Sequence, residues 1–364
     1  MKKILSFLTI GIIVLSGCAT ATGGYEFDGA CDSAEPVIGF VTDAGGVNDK
    51  SFNQGTWEGI EKYCADNQVG ATYVETADSS QLRDNLDLVA STEGIEVVVA
   101  SGFVFANDLY SSAVSNPDTN YILIDAEPTN PETGEVEKLD NVKSYYFNEQ
   151  DAGYLVGYIA GSMTESNRVG FIGGLEIPPV QRFGYGFIQG VNESNPEATI
   201  DYQYAGTFDD ANTGNTIAET MIGQGTDIIF VSAGSTNDGV LKAAIDNTVT
   251  GNKVSVIGVD RDMYNEGLYV DENGTEQSVI LTSAIKIVGE AAIEGLESHF
   301  SGNFTAGTTT LGYEDGGIGL PESNPNVDQK LIEEAKQSLA DKETVSVNKE
   351  DIESTIKVSI NGKY

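Results

Sequence analysis

Short apolar runs alternate with helix-like segments along most of the chain, and this alternation restricts the fold more than any other feature. In runs such as PVIGFVTD (36–43) and IEVVVASG (95–102), apolar residues occupy successive positions rather than every second one. Strands buried on both faces have this composition, and helices between such strands are typical of parallel sheets covered on both sides. The sequence therefore predicts an α/β fold with parallel sheets.

The alternation occurs twice, which predicts two lobes. In the first half the predicted strands are 36–43, 71–76, 95–102 and 120–126, and the predicted helices are 51–67, 79–92 and 107–116. After a helix at 149–163, the predicted strands are 167–174, 199–206, 226–234, 253–262, 277–286 and 307–315. Ser51 is predicted to cap the first helix. The acidic tail at 333–354 is predicted to form a surface helix on the second lobe.

The first 17 residues have the order of a secretory signal: two lysines, a short apolar run, and small residues before Cys18. The apolar run is shorter than the about 20 residues of a membrane span. A cysteine in this place resembles the lipid-modified first residue of a bacterial lipoprotein, and we favour this interpretation over a plain signal peptide. Acyl chains on Cys18 would anchor the protein to the outer face of the cell membrane, with residues 18–35 as a flexible tether.

The chain carries a formal net charge of −37, and loss of Lys2 and Lys3 with the signal takes it to −39. This charge argues against nucleic-acid polymers and anionic membrane surfaces as partners, but it permits a small ligand in a pocket. Cys31 and Cys64 could pair in an exported protein. The single histidine, His299, is expected at the surface, and no Cys/His cluster occurs, so neither a metal site nor a cofactor is predicted.

Carboxylates and aromatic rings recur directly after the predicted strands, where ligands bind in open parallel sheets. These residues are Asp43, Asp125 and Asp260, together with Phe52, Phe103, Phe183 and Phe208. Aromatic rings cover planar groups, carboxylates accept paired hydrogen bonds, and glycines let the backbone approach a ligand. The combination predicts a cleft for a small molecule with a flat heterocycle and a sugar, although each residue alone could equally be a core or capping residue.

The roles of three further residues in these segments can be considered from the sequence. Lys50 could contact a ligand, or it could brace its loop by pairing with Asp49 or the Asp43 region, and we favour the brace. Trp57 falls on the same helix face as other apolar residues and is predicted to lie in the core. Arg182 follows a Pro-Pro pair and could face either the cleft or the hinge.

Nine segments within residues 36–320 match one family in that family's order: TDAGGVNDKSFNQGTWEG, GFVFAND, YILIDA, YYFNEQDAGYLVGYIAG, RVGFIGGLEIPPVQRFGYGFIQG, DIIFVSAGSTNDGVL, VIGVDRD, ILTSAIK and LGYEDGGIGL. They resemble the basic membrane protein family of lipoproteins, of the purine nucleoside receptor A type, which are substrate-binding proteins of ABC transporters. The resemblance implies a type I periplasmic-binding-protein fold, in which three hinge crossings join two Rossmann-like lobes. Lobe 1 would comprise 36–146 with 282–312, and lobe 2 would comprise 147–281 with 313–364.

The resemblance also implies roles for individual residues around a purine nucleoside. Phe52 and Phe208 would stack on the purine from opposite sides, and Asp43 and Asp125 would bond polar atoms of the base. Asp260 would hold the ribose hydroxyls. The assisting and second-choice contacts would be Lys286, the backbone near Gly234, Asn48, Asp49 and Phe183.

The function expected from these features is that of a monomeric, lipid-anchored receptor. It would capture a purine nucleoside by lobe closure and deliver it to the permease and ATPase subunits of an importer. Two alternatives stay open: the same scaffold with a sugar or a signalling molecule as its ligand, and a nucleoside hydrolase that uses Asp43 with Asp49 or Asp125. The hydrolase is disfavoured because the sequence has neither a DxDxxxDD run nor a candidate histidine base.

Overall fold

The computed structural model describes residues 30–323 and 325–364. The predicted signal peptide, Cys18 and most of the predicted tether lie outside the described residues. The strands in chain order are β1 (Pro36–Val41), β2 (Gly70–Val74), β3 (Val97–Ser101), β4 (Asn120–Ile124), β5 (Val142–Phe147), β6 (Arg168–Gly173), β7 (Thr199–Tyr204), β8 (Ile228–Ser232), β9 (Ser255–Asp260), β10 (Leu268–Val270), β11 (Glu276–Ser278), β12 (Ile280–Lys286), β13 (Gly307–Leu311), β14 (Ile318–Gly319) and β15 (Ser359–Gly362).

The helices alternate with the strands, as predicted. They are α1 (Phe52–Asn67), α2 (Leu82–Ala90), α3 (Ala106–Ser115), α4 (Glu149–Met163), α5 (Pro178–Ser194), α6 (Ala211–Gly223), α7 (Asn237–Val249), α8 (Val288–Phe300), α9 (Gln329–Ala340) and α10 (Lys349–Thr355). Short 3₁₀ turns precede α2, α3 and α7, at Ser79–Gln81, Phe103–Phe105 and Gly234–Thr236. Two others, at Ala30–Ser33 and Tyr264–Gly267, precede β1 and β10. None of the helices in the described residues is long and apolar enough to cross a membrane.

The strands form two large sheets, one for each lobe, and a small antiparallel pair of β10 with β11. The first has the order β13–β5–β4–β3–β1–β2, with every neighbouring pair parallel. The second has the order β14–β12–β9–β8–β6–β7–β15, in which the short edge strand β14 is antiparallel and the others are parallel. This α/β architecture of two parallel-sheet lobes confirms the predicted fold class.

Helices cover both faces of the first sheet, and the central strand β3 is buried at every position. Val97 and Val99 of β3 pack in a cluster with residues of α1 and α8, whereas Val98 and Ala100 pack with residues of α2 and α3. Trp57 is buried on the α1 side, stacked on Phe40 with 6.0 Å between ring centroids, which confirms its predicted place in the core.

The chain passes between the lobes three times. The crossings lie between β5 and α4, between β12 and α8, and between β13 and β14. The predicted boundary at 282 differs from the sheet pairing, because β12 pairs along its length with β9 of the second sheet and leaves it only after Lys286.

The carboxyl-terminal tail does not form the single predicted surface helix. Residues 333–354 belong to two helices, α9 and α10, and the segment between them carries a buried Val345. The chain then ends in β15, which pairs in parallel with β7 and extends the second sheet. The tail contacts α4 and α5 of the second lobe, as predicted.

A disulfide joins Cys31 and Cys64, so the pairing that the sequence left open is present. It connects the 3₁₀ turn at Ala30–Ser33 to the carboxyl-terminal half of α1. His299, expected at the surface, is largely buried, and its Nδ1 lies 2.9 Å from Asn120 Nδ2.

Candidate functional site

A cavity with an empty volume of ≈ 580 Å³ lies between the two lobes, at the carboxyl ends of both sheets. The first lobe lines it with Asp43, Gly45, Asp49, Phe52, Gly102, Phe103, Val104 and Asp125. The second lobe lines it with Ile177, Pro179, Val180, Phe183, Phe208, Ser232, Ala233, Gly234, Val259, Asp260 and Lys286. Its mixture of apolar walls with a few polar groups is typical of sites for small organic molecules.

The loop after β1 is held by two carboxylates. Asp49 accepts hydrogen bonds from the backbone N–H groups of Ser51, Asn53 and Gln54 at 2.9 to 3.0 Å. Asp49, rather than the predicted Ser51, therefore satisfies the free N–H groups at the start of α1. Asp43 accepts from the Asn53 side chain at 2.7 Å, which fixes its carboxylate at the edge of the cavity.

Ser51 makes a contact across the cleft instead of capping its helix. Its hydroxyl donates to Asp260 Oδ2 at 2.5 Å, and both side chains are buried. Ser51 belongs to the loop before α1, whereas Asp260 is the last residue of β9 in the second sheet. This hydrogen bond therefore forms only when the two lobes approach each other.

Backbone strain is concentrated at this site. Among the described residues, five residues other than glycine have a left-handed backbone, and three of them are Lys50 (φ 57°), Asp125 (φ 66°) and Asp260 (φ 67°). Such conformations cost about 1–3 kcal/mol each for residues with a Cβ atom, and they cluster at sites where function requires a particular side-chain direction. Here they direct two carboxylates into the cavity.

The aromatic rings come from both lobes. Phe52 begins α1 in the first lobe, Phe208 follows β7 in the second lobe, and both line the cavity. Two glycines leave the room that Phe208 occupies. A Cβ atom at Gly174 would lie 2.2 Å from the Phe208 ring, and one at Gly234 would lie 2.9 Å from the Phe208 carbonyl oxygen. Phe183 is only 2 % exposed and packs edge-on against Phe230, with 5.9 Å between centroids.

A buried charge network forms one end of the site. Lys286 forms ion pairs with Asp125 of the first lobe and with Glu149, whose Oε1 lies 3.0 Å from its Nζ. Glu149 also accepts from Arg182 Nε at 2.5 Å, so two cations balance two carboxylates. The Lys286 ammonium lies 4.9 Å from the centre of the Phe52 ring and 5.7 Å from that of Phe183.

Burial and charge oppose each other in this network. Burial lowers the pKa of Lys286, but attraction to Asp125 and Glu149 outweighs it, so the lysine stays charged. Burial raises the pKa of Asp125 to about 7 against the attraction of Lys286. Burial also raises the pKa values of Asp43 and Asp260. Asp125 Oδ1 has no hydrogen-bond partner among the described residues and is available to a donor in the cavity.

Comparison with known proteins identifies the family. The model of the ABC transporter substrate-binding protein PnrA-like family, Bmp, matches residues 37–351. The chain belongs to this family.

Relatives in sequence and in structure agree with this assignment. The chain is 33 % identical over 358 residues to the CD4+ T-cell-stimulating antigen of Listeria monocytogenes, covering 94 % of this chain and 98 % of the relative. It is 31 % identical to the ABC transporter nucleoside-binding protein BmpA of Lactococcus lactis subsp. cremoris, with 94 % and 98 % covered. An ABC transporter solute-binding protein from Aeropyrum pernix K1 superposes with a TM-score of 0.74 at 25 % identity, covering 88 % and 96 %.

These matches confirm the predicted family and establish this Bmp family member as a substrate-binding protein of an ABC transporter. Its partners are therefore a small-molecule ligand and the subunits of that transporter, and it acts on the extracytoplasmic side of the membrane. No group of three or more His, Cys, Asp or Glu side chains in the part of the chain that the structure describes could hold a metal ion.

The cavity brings together most of the residues predicted for the site of this Bmp family member. Those that line it are Asp43, Asp49, Phe52, Asp125, Phe183, Phe208, Gly234, Asp260 and Lys286. Asn48 is exposed and is not among the lining residues, because the loop turns it towards solvent. Cys18 lies outside the described residues. Contact of any of these side chains with a ligand stays a prediction.

The sequence did not predict the residues that hold the lining side chains in place. Asn53 holds Asp43 and accepts from Ser101 Oγ at 2.8 Å, and Glu149 pairs with both Lys286 and Arg182. The partners of Glu149 and the Ser101 partner of Asn53 are distant in sequence, so no local pattern marks these contacts. The predicted pairing of Lys50 with Asp49 or the Asp43 region is wrong, because Lys50 forms ion pairs with Asp238 and Glu266 of the second lobe.

Proposed function

We propose that this protein captures a purine nucleoside between its lobes and delivers it to a membrane permease. The observation that supports this most directly is the combination of Phe52 and Phe208, one from each lobe, with the free acceptor Oδ1 of Asp125 in a single cavity. Two aromatic faces suit a flat heterocycle, and a carboxylate suits its N–H or amino groups. The nucleoside-binding relative from Lactococcus supports the same ligand class.

Each lining residue has a role in this proposal. Phe52 and Phe208 cover the two faces of the base, and Asp43 and Asp125 accept hydrogen bonds from its edge. Asp260 accepts from the ribose hydroxyls. The assisting contacts are Lys286, the backbone of Gly234, Asp49 and Phe183, and the exposed Asn48 is no longer included.

The charge of the cavity supports a nucleoside over a nucleotide. Four aspartates line it, at positions 43, 49, 125 and 260, and Lys286 is the one lining residue with a positive charge. That lysine is already paired with Asp125 and Glu149, so a phosphate would meet uncompensated carboxylates. Neutral ligands avoid this repulsion.

Calorimetric titration of the full chain tests the ligand class directly. We expect saturable binding of at least one of inosine, adenosine and guanosine, and much weaker binding of AMP, D-ribose and D-arabinose. Phe52→Ala should weaken binding by about five- to 150-fold, because stacking of a base on an aromatic ring is worth about 1–3 kcal/mol. Phe304→Ala is the matched control, because Phe304 is also partly buried but does not line the cavity.

The same titration separates the alternatives. Absence of binding to all three nucleosides would refute the nucleoside proposal, and saturable binding of a pentose alone would favour a sugar receptor on the same scaffold. Release of free base during incubation with a nucleoside would instead favour a hydrolase.

We further propose that Cys18 carries the lipid anchor and that the protein works as a monomer. The lipoprotein-type order of the leader supports the anchor. Mass spectrometry of the amino-terminal peptide should find acyl chains on Cys18, and Cys18→Ser should release the protein from cells. An unmodified cysteine in membrane-bound protein would refute the anchor. Light scattering of the purified protein should give the mass of one chain, and a dimer mass would refute the monomer.

A further inference from the structure

Five charged side chains form an alternating row across the rim of the cleft. Lys50 Nζ lies 3.0 Å from Asp238 and 4.0 Å from Glu266. Arg261 lies 3.3 Å from the same Glu266 and 3.2 Å from Glu58. We call this row, Asp238–Lys50–Glu266–Arg261–Glu58, the rim clasp.

Three of the four ion pairs of the rim clasp join the two lobes. Lys50 and Glu58 belong to the loop before α1 and to α1 itself, in the first lobe. Asp238, Arg261 and Glu266 belong to α7, to the residues after β9 and to the 3₁₀ turn at Tyr264–Gly267, in the second lobe. The Lys50–Asp238, Lys50–Glu266 and Arg261–Glu58 pairs therefore exist only while the lobes are together.

None of the five residues lines the cavity, so the clasp does not belong to the ligand site itself. It is nevertheless linked to that site through the backbone. Lys50 directly precedes Ser51, Arg261 directly follows Asp260, and Ser51 donates to Asp260 at 2.5 Å. The two cations of the clasp thus flank the buried hydrogen bond that closes the cavity.

The overall charge of the protein explains why such a device is needed. The whole chain has 56 acidic and 19 basic side chains, so the approach of two acidic lobes is opposed by electrostatic repulsion. The clasp places one cation on each lobe, at positions where acidic side chains of the other lobe meet it. Lys50 is held there in a left-handed backbone conformation, with φ 57°, which a lysine adopts only when its surroundings require it.

We propose that the rim clasp sets the balance between the open and closed forms, and thereby the residence time of the ligand, without touching the ligand. Because dissociation requires opening, loss of the clasp accelerates dissociation and leaves association nearly unchanged. This effect on ligand kinetics rests on the nucleoside function proposed above, whereas the effect on lobe closure does not.

Lys50→Met and Arg261→Met test the clasp by stopped-flow kinetics with inosine, adenosine or guanosine, whichever binds the wild type. Lys50→Met removes two ion pairs between the lobes, and Arg261→Met removes one. We therefore expect a roughly three- to tenfold rise in koff for Lys50→Met and a smaller rise for Arg261→Met, each with less than a twofold change in kon. Lys342→Met is the matched control. The Lys342–Glu193 pair has a similar distance and similar exposure, 2.8 Å and 30 and 45 %, against 3.0 Å and 26 and 40 % for Lys50–Asp238, but it lies within the second lobe.

A double-mutant cycle of Lys50→Met with Asp238→Asn separates the clasp from a general effect of charge. The pair should show a coupling, so that the second substitution raises koff less in the Lys50→Met background than in the wild type. Additive effects across the pair, or an equal rise in koff for Lys342→Met, would overturn the proposal.

Lobe closure is measured independently of nucleoside affinity by single-molecule energy transfer. Dyes attached to cysteines at the exposed positions Val114 of α3 and Val249 of α7 report the separation of the lobes. Without added ligand, the closed fraction should be lower in Lys50→Met than in the wild type and unchanged in Lys342→Met. If no nucleoside binds the wild type, the proposed function fails but this comparison still decides the clasp. Equal closed fractions in all three proteins would overturn it.

Discussion

Substitution of Glu149 by glutamine should destabilise the protein strongly, although Glu149 does not line the cavity. Its carboxylate is fully buried and accepts from Lys286 Nζ at 3.0 Å and from Arg182 Nε at 2.5 Å. Glutamine keeps the size and one acceptor oxygen but removes the charge, which leaves Arg182 buried without a counter-charge and Lys286 with Asp125 alone. Loss of one partner from a buried pair costs 3–5 kcal/mol, and the retained acceptor places this change near about 3 kcal/mol.

Equilibrium unfolding in urea, followed by circular dichroism, measures this loss. A chain of this length has an unfolding entropy of about 0.7 kcal/mol/K, so the same change lowers Tm by about 4 °C. Glu290→Gln is the control, because its ion pair with Lys62 is exposed on both sides and is worth less than about 1 kcal/mol. A loss for Glu149→Gln no larger than that of the control would refute the reasoning.

The effect should also depend on pH in a defined direction. Burial raises the pKa of Glu149, but attraction to Lys286 and Arg182 outweighs burial, and the pKa lies below the ordinary value of 4.5. A carboxylate with a lowered pKa contributes stability above 4.5 and loses it as the pH falls through the folded-state pKa. The stability difference between wild type and Glu149→Gln should therefore be largest above pH 4.5 and shrink in stronger acid.

Three further predictions concern the cavity and the disulfide. Burial raises the pKa of Asp125 to about 7, so titrations should show nucleoside affinity falling as the pH drops from 8 to 6, and Asp125→Asn should remove that dependence. Gly174→Ala would displace the Phe208 ring, 2.2 Å from the added Cβ atom, and should weaken nucleoside binding at least fivefold, whereas Gly223→Ala, with no neighbour within 4 Å, should not. Cys31→Ser should lower the free energy of unfolding in urea by up to about 4 kcal/mol through loss of a loop closure, with ligand affinity unchanged; an equal loss of affinity would contradict this.

A rise in pH acts on Asp125 in opposite directions for ligand binding and for folding stability. Its folded-state pKa lies above the ordinary 3.8, so the folded chain holds more protons than the unfolded chain between these values. Its contribution to stability therefore falls as the pH rises through this window, while its ability to accept a hydrogen bond from a ligand increases. Stability that rose with pH through this residue would contradict the burial argument.

The strands and helices that were predicted correctly are those whose own residues show a clear apolar pattern. Most strands are continuous apolar runs, and their ends place the predicted aspartates and phenylalanines on the cavity. The strand β5 was not predicted, because VKSYYF contains Lys143 and Ser144 in its interior. Both are buried in the sheet, where Lys143 pairs with Glu294 at 3.5 Å. The ion pair with this distant residue, together with the Tyr145 ring centred 5.2 Å from Lys143 Nζ, compensates the burial of the lysine in the strand.

Partnerships over long sequence separations were the part that the sequence did not reveal. Lys50 was expected to pair nearby, yet Asp238 lies 188 residues away along the chain. Ser51 has the residue type of a helix cap, but its hydroxyl donates to Asp260 and Asp49 supplies the cap. Both assignments depend on the approach of the second lobe, which no local pattern encodes. The tail strand β15 depends in the same way on its pairing with β7.

The charges of the site divide into two groups that respond differently to opening. The Lys286–Asp125–Glu149 network lies beside the crossings, since Lys286 ends β12 just before one and Glu149 begins α4 just after another. Its members are buried, so separating them would leave buried charges without partners, at a large cost in free energy. This end of the cleft should therefore stay together. The ion pairs of the rim clasp are partly exposed, between 25 and 40 %, so water can replace their partners at low cost. A hinge held by buried charges and a rim held by hydrated ones would open at the rim first, which is the direction in which a ligand must leave.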